Sequence, residues 1–412
     1  MPATNPIRKH HFSMAVMSNK RVPVDGLRVG MYVTALDTPW YKSPFLRHRF
    51  HIRSQSQIDK LRRFAIREVT VDVSKGLDVE VSAAVPTLAA ENGSFRSRYS
   101  IAAETHKRLT ESVQSSFEAA VDSGSLDDQA AHNAARELVI VSRSIDANAF
   151  LLAIGDPSLE FTAAEHAVSV ASLALLLGHA LDYDFTRLHH LGTAAIVHDL
   201  GLLQIPPAVR KPHTTLQGAD RQLYESHPTL AVTTLEQKGT FDSDVIRMVA
   251  EHHVRPDHTG FPHHYAWDAT TEGSRILAVA DRYHEVLKDS PERVILPHIA
   301  LSRLYREATE RRLDARIVFR FIQLVGIYPL CTPIELNTGE RGFVSDLSSN
   351  NMLGPTVMLT HDAQSRPYDR PVKVDLSAQR APRGERSITR TLEEYEGGLR
   401  FHDALKAIEG PS

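Results

Sequence analysis

"AAIVHDLGLLQIP", Ala194–Pro206, places an imidazole beside a carboxylate in a stretch that is otherwise apolar. Hydrophobic residues lead into His198 and Asp199, Gly201 follows shortly after, and more hydrophobic residues run on to Pro206. The pattern predicts a core helix closing on the His–Asp pair, with Gly201 as its C-terminal stop. An adjacent pair of this kind has an ordinary reading, because a helix end exposes polar groups in any case. Its meaning therefore rests on the rest of the chain.

At 412 residues the chain is long enough for two or three domains, each with its own core. Hydrophobic residues make up 42% and charged residues 24%, as in ordinary globular proteins. A net charge of −3 lacks the basic footprint of a protein that binds duplex nucleic acid. The single cysteine, Cys331, excludes an internal disulfide framework and any multi-cysteine zinc or iron–sulfur site. With no disulfide to place, a reducing cytoplasm is the expected location. The N-terminal "MPATNPIRKHHFSMAVMSNKRVP" is basic without an apolar core, so no signal peptide is expected there. Ala167 to Leu181 is short for a membrane span and is interrupted by Ser169, Ser172 and His179, which predicts a buried helix instead. The anomaly is 22 histidines, many of them between His166 and His284. Histidine is the commonest metal ligand among side chains.

Residues 1–20 read as a flexible tail and 21–78 as a small α+β domain. In the latter, "MYVTAL" and "EVTVDV" are β-branched runs, and "SQSQIDKLRRFAI" offers Ser54 or Ser56 as N-cap to a helix. A Ser/Ala-rich linker is expected over 79–100. Residues 101–326 are helical in pattern almost throughout, punctuated by "DSGS", "GDPS" and "KPHTTLQG". After "GIYP" the hydrophobic period becomes two, in "TPIELNTGERGFVSDLS" and "PTVMLTHD", predicting a small β appendage over 327–376. The Arg/Pro/Ser-rich remainder, 377–412, reads as a mobile tail. The fold class is thus mainly α, a helical bundle with a small N-terminal α+β domain and a small C-terminal β appendage.

Within the helical region lie His166 in "TAAEHAVSVA", the pair His198 and Asp199, His227 in "YESHPTLA", His252 and His253 in "VAEHHVRPDHTGFP", and Asp281 in "RILAVADRYHEV". All offer nitrogen or oxygen donors, which suit Fe, Mn or a similar divalent ion. They exceed the needs of one ion and fit two. Two divalent ions less two carboxylate charges leave a positive seat for a phosphodiester. Singly, each has a plain alternative. His166 is an ordinary core or surface histidine, "HHVRPDHTGFP" a polar loop with turn residues, and Asp281 a cap or a partner for Arg282. His258, His263 and His264 are taken as surface residues.

In order and spacing, residues from Glu165 to Tyr328 resemble the HD-GYP domain, the bacterial metal-dependent phosphodiesterases of cyclic di-GMP. That family has a helix histidine, then "HDxGK", a histidine after an "LTxEE" helix start, "HHExxDGxGYP", and an aspartate in "RIxxxxD". The corresponding segments here are His166, "HDLGL", "LQGADRQLYESH" ending in His227, "HHVRPDHTGFP" and "RILAVAD" ending in Asp281. The earlier "GMYV", "LDTPW" and "PF" resemble the small domain that often precedes HD-GYP. The resemblance implies an HD-superfamily bundle in which His166, His198, Asp199, His227, His252, His253 and Asp281 bind two divalent ions. Asp199 is implied to bridge them, and Asp199 and His198 to be catalytic. Gly260, Phe261 and Pro262 occupy the GYP place, implied to lie near substrate and to contact GGDEF-domain partners.

The chain departs from the family pattern at several places, and the resemblance makes Leu202 and the segment with Arg293 substrate-contact positions. Leu202 stands for the lysine of "HDxGK", Val254 for the glutamate of "HHE", and Ser290 for the first arginine of "RPYR", whereas Arg293 keeps the second. Thr162 stands where some members place an extra glutamate, which points to a two-metal centre. Loss of one charged phosphate contact costs about 1.5–3 kcal/mol, roughly ten- to a hundredfold in binding. The expected function is hydrolysis of cyclic di-GMP to linear pGpG, GMP or both. The alternatives are a domain that binds cyclic di-GMP or a GGDEF partner without hydrolysis, and a dimetal phosphohydrolase for another cyclic dinucleotide or nucleotide.

Overall fold

The computed structural model describes residues 19–36, 50–72 without 53, 64–65 and 67, and 95–392 without 124–125, 145–146, 156–158, 211–215, 289–294, 348–351 and 379–385. The chain divides into two units, Met1–Thr87 and Leu88–Ser412. In the first, strands β1 (Asn19–Pro23), β2 (Tyr32–Leu36), β3 (Phe50–His51) and β4 (Glu68–Asp72) form an antiparallel sheet in the order β1-β4-β2-β3. Helix α1 (Gln55–Arg63) starts just after Ser54, one of the two predicted caps. Met31, Val33, Ile52, Ile58, Leu61 and Val71 are fully buried and make this unit's core. β1 begins at Asn19, inside the segment expected to be a tail, because Asn19 and Lys20 pair with Asp72 and Val71 far along the chain.

The second unit opens with α2 (Phe95–Ser123), α3 (Asp128–Ser144), α4 (Ala147–Ile154), α5 (Ala163–Ala180) and α6 (Phe185–Val197). It continues through α7 (Gly218–Glu225), α8 (His227–Lys238), α9 (Ser243–Glu251), α10 (Glu272–Leu287), α11 (Pro297–Thr309) and α12 (Ala315–Val325). Several starts are fixed by capping, in which a side-chain oxygen accepts an otherwise orphaned backbone N–H. Thr162 caps α5, Asp184 α6, Asp242 α9, Thr271 α10 and Asp314 α12. α5 lies at the centre against α2, α6 and α10, and everything from Ala164 to Gly178 is buried. By length and hydropathy it could cross a membrane, but 83% of it is buried inside the bundle, as expected of a core helix that is apolar all round. Leu173, Leu175 and Leu177 are fully buried, each contributing roughly 1.5–3 kcal/mol of apolar burial.

The C-terminal sheet comprises β5 (Pro333–Leu336), β6 (Arg341–Asp346), β7 (Thr356–His361), β8 (Pro367–Asp375) and β9 (Ile388–Thr391), antiparallel throughout in the order β8-β7-β6-β5-β9. Two expectations need correction. The last residues of the expected linker, 95–100, belong to α2, whose first turns carry few of the apolar residues that reveal helical period. β9 falls in the expected mobile tail, because its partner Ile334 lies far back in the sequence and no local turn announces the pairing. The other parts of the expected tails, 1–18 and 393–412, lie outside the described residues, as do Ser290 and Arg293.

Candidate metal centre

The helix from Phe185 stops at Val197, leaving His198 as its C-cap and Asp199 at the head of a short 3₁₀ turn, Leu200–Gln204. This change of helical pitch brings His198 Nε2 within 3.4 Å of Asp199 Oδ2. Gly201 is not the expected helix stop, since it lies inside the 3₁₀ turn. A Cβ there would lie 2.0 Å from the carbonyl oxygen of His227, so the glycine lets the turn press against the start of α8. That approach places His227 Nε2 3.2 Å from Asp199 Oδ1.

Three histidines share one local design. His198, His227 and His252 each follow the end of a helix, namely α6, α7 and α9, and point Nδ1 at a carbonyl one turn back. The distances are 2.8 Å to Ala195, 2.8 Å to Tyr224 and 2.7 Å to Val249. A carbonyl only accepts, so Nδ1 carries the proton and Nε2 of a neutral ring presents a lone pair. The orphaned carbonyls of helix ends thereby orient the rings.

All of the predicted ligands converge. Asp199 Oδ2 faces His198 and, at 3.6 Å, His166. Asp199 Oδ1 faces His227 and, at 3.7 Å, His252. Asp281 Oδ1 lies 3.2 Å from His166 Nε2 and 3.7 Å from His198 Nε2. His253 joins Asp199, His227 and His252 in one group whose donor atoms all lie within 4.8 Å of one another. The reading of Asp281 as a partner for Arg282 does not hold. Arg282 instead forms ion pairs with Glu307 and Glu285.

The donor set fits cations. Nε2 atoms face each other at 3.3 Å between His166 and His198 and at 3.4 Å between His227 and His252, and Asp281 Oδ2 is buried with no hydrogen-bond partner among the described residues. Burial would push the Asp199 carboxyl up, but His198, His227 and His252 outweigh it and hold it well below the usual carboxylate range. Burial likewise opposes ionisation of Asp281, but His166 and His198 outweigh it and hold that carboxyl well below the usual range. His252 and His253 are shifted down, chiefly by burial, which keeps them neutral as metal ligands require.

His166, within α5, has no free carbonyl to orient it and uses a relay that the sequence reading missed. Its Nδ1 lies 2.9 Å from Nδ1 of His284, whose Nε2 lies 3.3 Å from Glu165 Oε1. Glu165 also accepts from Ser169 Oγ at 2.9 Å, and Ser169 Oγ meets His106 Nε2 at 2.9 Å. Burial raises the Glu165 carboxyl, but His284, Lys288 and Ser169 together bring it down to about 2. The ionised carboxylate can only accept, so it favours a proton on His284 Nε2, within ion-pair distance though not aligned for a hydrogen bond. His284 Nδ1 would then accept from His166 Nδ1, leaving His166 Nε2 for a metal. His284 lies one helical turn beyond Asp281, the one local sign that could have found it.

Gly260 and Phe261 have structural roles in the GFP loop. A Cβ at Gly260 would lie 2.1 Å from the His253 carbonyl oxygen. Phe261 is 4% exposed, with its ring 4.5 Å from that of His253, so it backs the ligands. Pro262 is half-buried. His258, at the glycine place of "HHExxDGxGYP", has φ 62°. Val254 is buried. Thr162 accepts the Glu165 N–H at 3.1 Å, so its hydroxyl serves as the α5 cap. Beside the ligands is a cavity of about 280 Å³ whose wall includes His166, Asp199, Leu202, Arg210 and Phe161.

Residues 151–317 match the HD domain family, and residues 19–139 match a domain of unknown function, DUF3391. The chain thus carries an HD domain preceded by a DUF3391 domain. A cyclic di-GMP phosphodiesterase of Pseudomonas aeruginosa is 27% identical over 84% of this chain and 86% of that protein. The cyclic di-GMP phosphodiesterase PdeB of Borreliella burgdorferi is 20% identical over 45% of this chain and 49% of its own. A 3′3′-cGAMP-specific phosphodiesterase of Vibrio cholerae is 27% identical over 39% of this chain and 37% of its own. Among solved structures, an HDG"Y"P protein of Bdellovibrio bacteriovorus superposes with a TM-score of 0.48 at 14% identity, covering 74% of this chain and 98% of that one.

Proposed function

We propose that this chain is a metal-dependent phosphodiesterase that hydrolyses cyclic di-GMP to pGpG, GMP or both. The observation that carries the proposal is the division of labour at Asp199, whose two oxygens face different histidine sets. One ion would be held by His166, His198, Asp199 and Asp281, the other by Asp199, His227, His252 and His253. Two divalent ions there, Fe or Mn for an all-nitrogen and oxygen donor set, supply Lewis acidity and lower the pKa of the attacking water. The chain keeps the Nε2 lone pairs aimed inward, through backbone carbonyls for three rings and through His284 and Glu165 for His166. The names and extents of the relatives above support a cyclic dinucleotide as substrate. A second reading, another cyclic dinucleotide, is favoured by Leu202 on the cavity wall in place of a cation.

The test is hydrolysis of cyclic di-GMP by protein purified without oxygen and supplied with Mn or Fe(II), with product separation. Metal-dependent release of pGpG or GMP is expected. The Asp199→Ala protein, folded by circular dichroism, should lose both bound metal and turnover. Turnover that survives in that variant would sink the bridging role, and hydrolysis confined to a different cyclic dinucleotide would favour the second reading.

A further inference from the structure

Phe161 stands immediately before the α5 cap, 57% exposed, with its ring 5.8 Å from that of His166 and 6.1 Å from that of His284. A lone exposed phenylalanine on an open surface needs no explanation. This one forms part of the wall of the cavity that contains His166 and Asp199. Thr162 fixes its backbone by capping α5, so the ring is presented at the mouth without being packed away. On the same wall, the Arg210 guanidinium is anchored by two backbone carbonyls, Nε to Ile205 at 2.8 Å and Nη2 to Leu203 at 3.0 Å. Carbonyls position the group without cancelling its charge. By contrast, the Arg282 charge is neutralised by Glu307 and Glu285.

A phosphodiester seated on metals beside His166 places its attached nucleoside against this wall. Nucleobases stack on aromatic rings, and the second phosphate of a cyclic dinucleotide seeks a cation. The cavity, about 280 Å³, is at the low end for a drug-sized ligand, so it accommodates part of a dinucleotide and leaves the remainder on the rim. We propose that Phe161 is the stacking platform for a substrate nucleobase and that Arg210 supplies the cationic phosphate contact that Leu202 cannot. This rests on the phosphodiesterase reading, but not on the identity of the bases.

The test compares two chromogenic diesters with the same leaving group in the Mn-loaded full chain. Thymidine 5′-(4-nitrophenyl phosphate) carries a base, and methyl 4-nitrophenyl phosphate does not. Phe161→Leu should lower kcat/KM for the thymidine ester about tenfold, through KM, and leave the methyl ester within about twofold. Phe161→Trp should restore the thymidine ester. Arg210→Gln should raise KM for cyclic di-GMP about tenfold with kcat little changed. Equal effects of Phe161→Leu on both esters, or none on either, would overturn the platform. An unchanged KM in Arg210→Gln would overturn the phosphate contact. Wild-type turnover of both esters but of no cyclic dinucleotide would end the cyclic di-GMP reading while the ester pair still decides the platform. If neither ester is turned over, an unchanged KM of Phe161→Leu for cyclic di-GMP would overturn the platform, and turnover of no diester at all would remove the phosphodiesterase reading and this proposal together.

Discussion

His198, His227 and His252 form a fully buried floor beside the cavity, and each gives Nδ1–H to a carbonyl one turn back. Leu202, Arg210 and Phe161, on its wall, are half-buried or exposed and owe their places to short turns and a helix cap. The floor keeps every predicted ligand, whereas the departures at Leu202 and in the GFP loop fall on the wall or behind it. Tight packing explains the contrast. A change on the floor disturbs several partners in a low-dielectric interior, while a change on the wall alters mainly what the cavity can hold.

The sharpest way to break this comparison is at the relay behind the floor. Glu165→Ala should weaken metal affinity about 10–100-fold, the usual cost of removing a group that orients a ligand, while Glu165→Gln recovers part of it. Metal titration with the fold monitored by circular dichroism checks this, and unchanged affinity would mean that His284 needs no carboxylate to hold its tautomer. The wall should respond more gently. Leu202→Lys adds a cation to the cavity and should raise kcat/KM for cyclic di-GMP about tenfold, leaving metal content unchanged. A drop in activity would show that Leu202 already serves the site as an apolar surface. The smallest effect belongs to the loop after the His252–His253 pair. His258 adopts a left-handed backbone that favours glycine, so His258→Gly should stabilise the protein by roughly 0.5–1 kcal/mol in urea unfolding with turnover unchanged. A loss of turnover would instead give the His258 side chain a part in the site.

Much of this was legible along the chain. Helical period pointed to the helices, and Ser54, offered as a cap, stands just before α1. The ordered histidines and aspartates named the floor. Glu165 and His284 stayed hidden, because His284 meets His166 across 118 residues of sequence. β9 escaped notice for the same reason, its register being set by β5 and not by a turn.

The sequence by itself determined the donor types, their order, and the helices that carry them, because periodicity, capping and side-chain chemistry are local properties. Tertiary structure alone decided which oxygen of Asp199 faces which histidines. It also made Gly201 a point of contact with α8 in place of a helix stop, and turned Phe261 inward while leaving Phe161 at the mouth. Those outcomes are distances between groups far apart in the chain, and packing sets such distances.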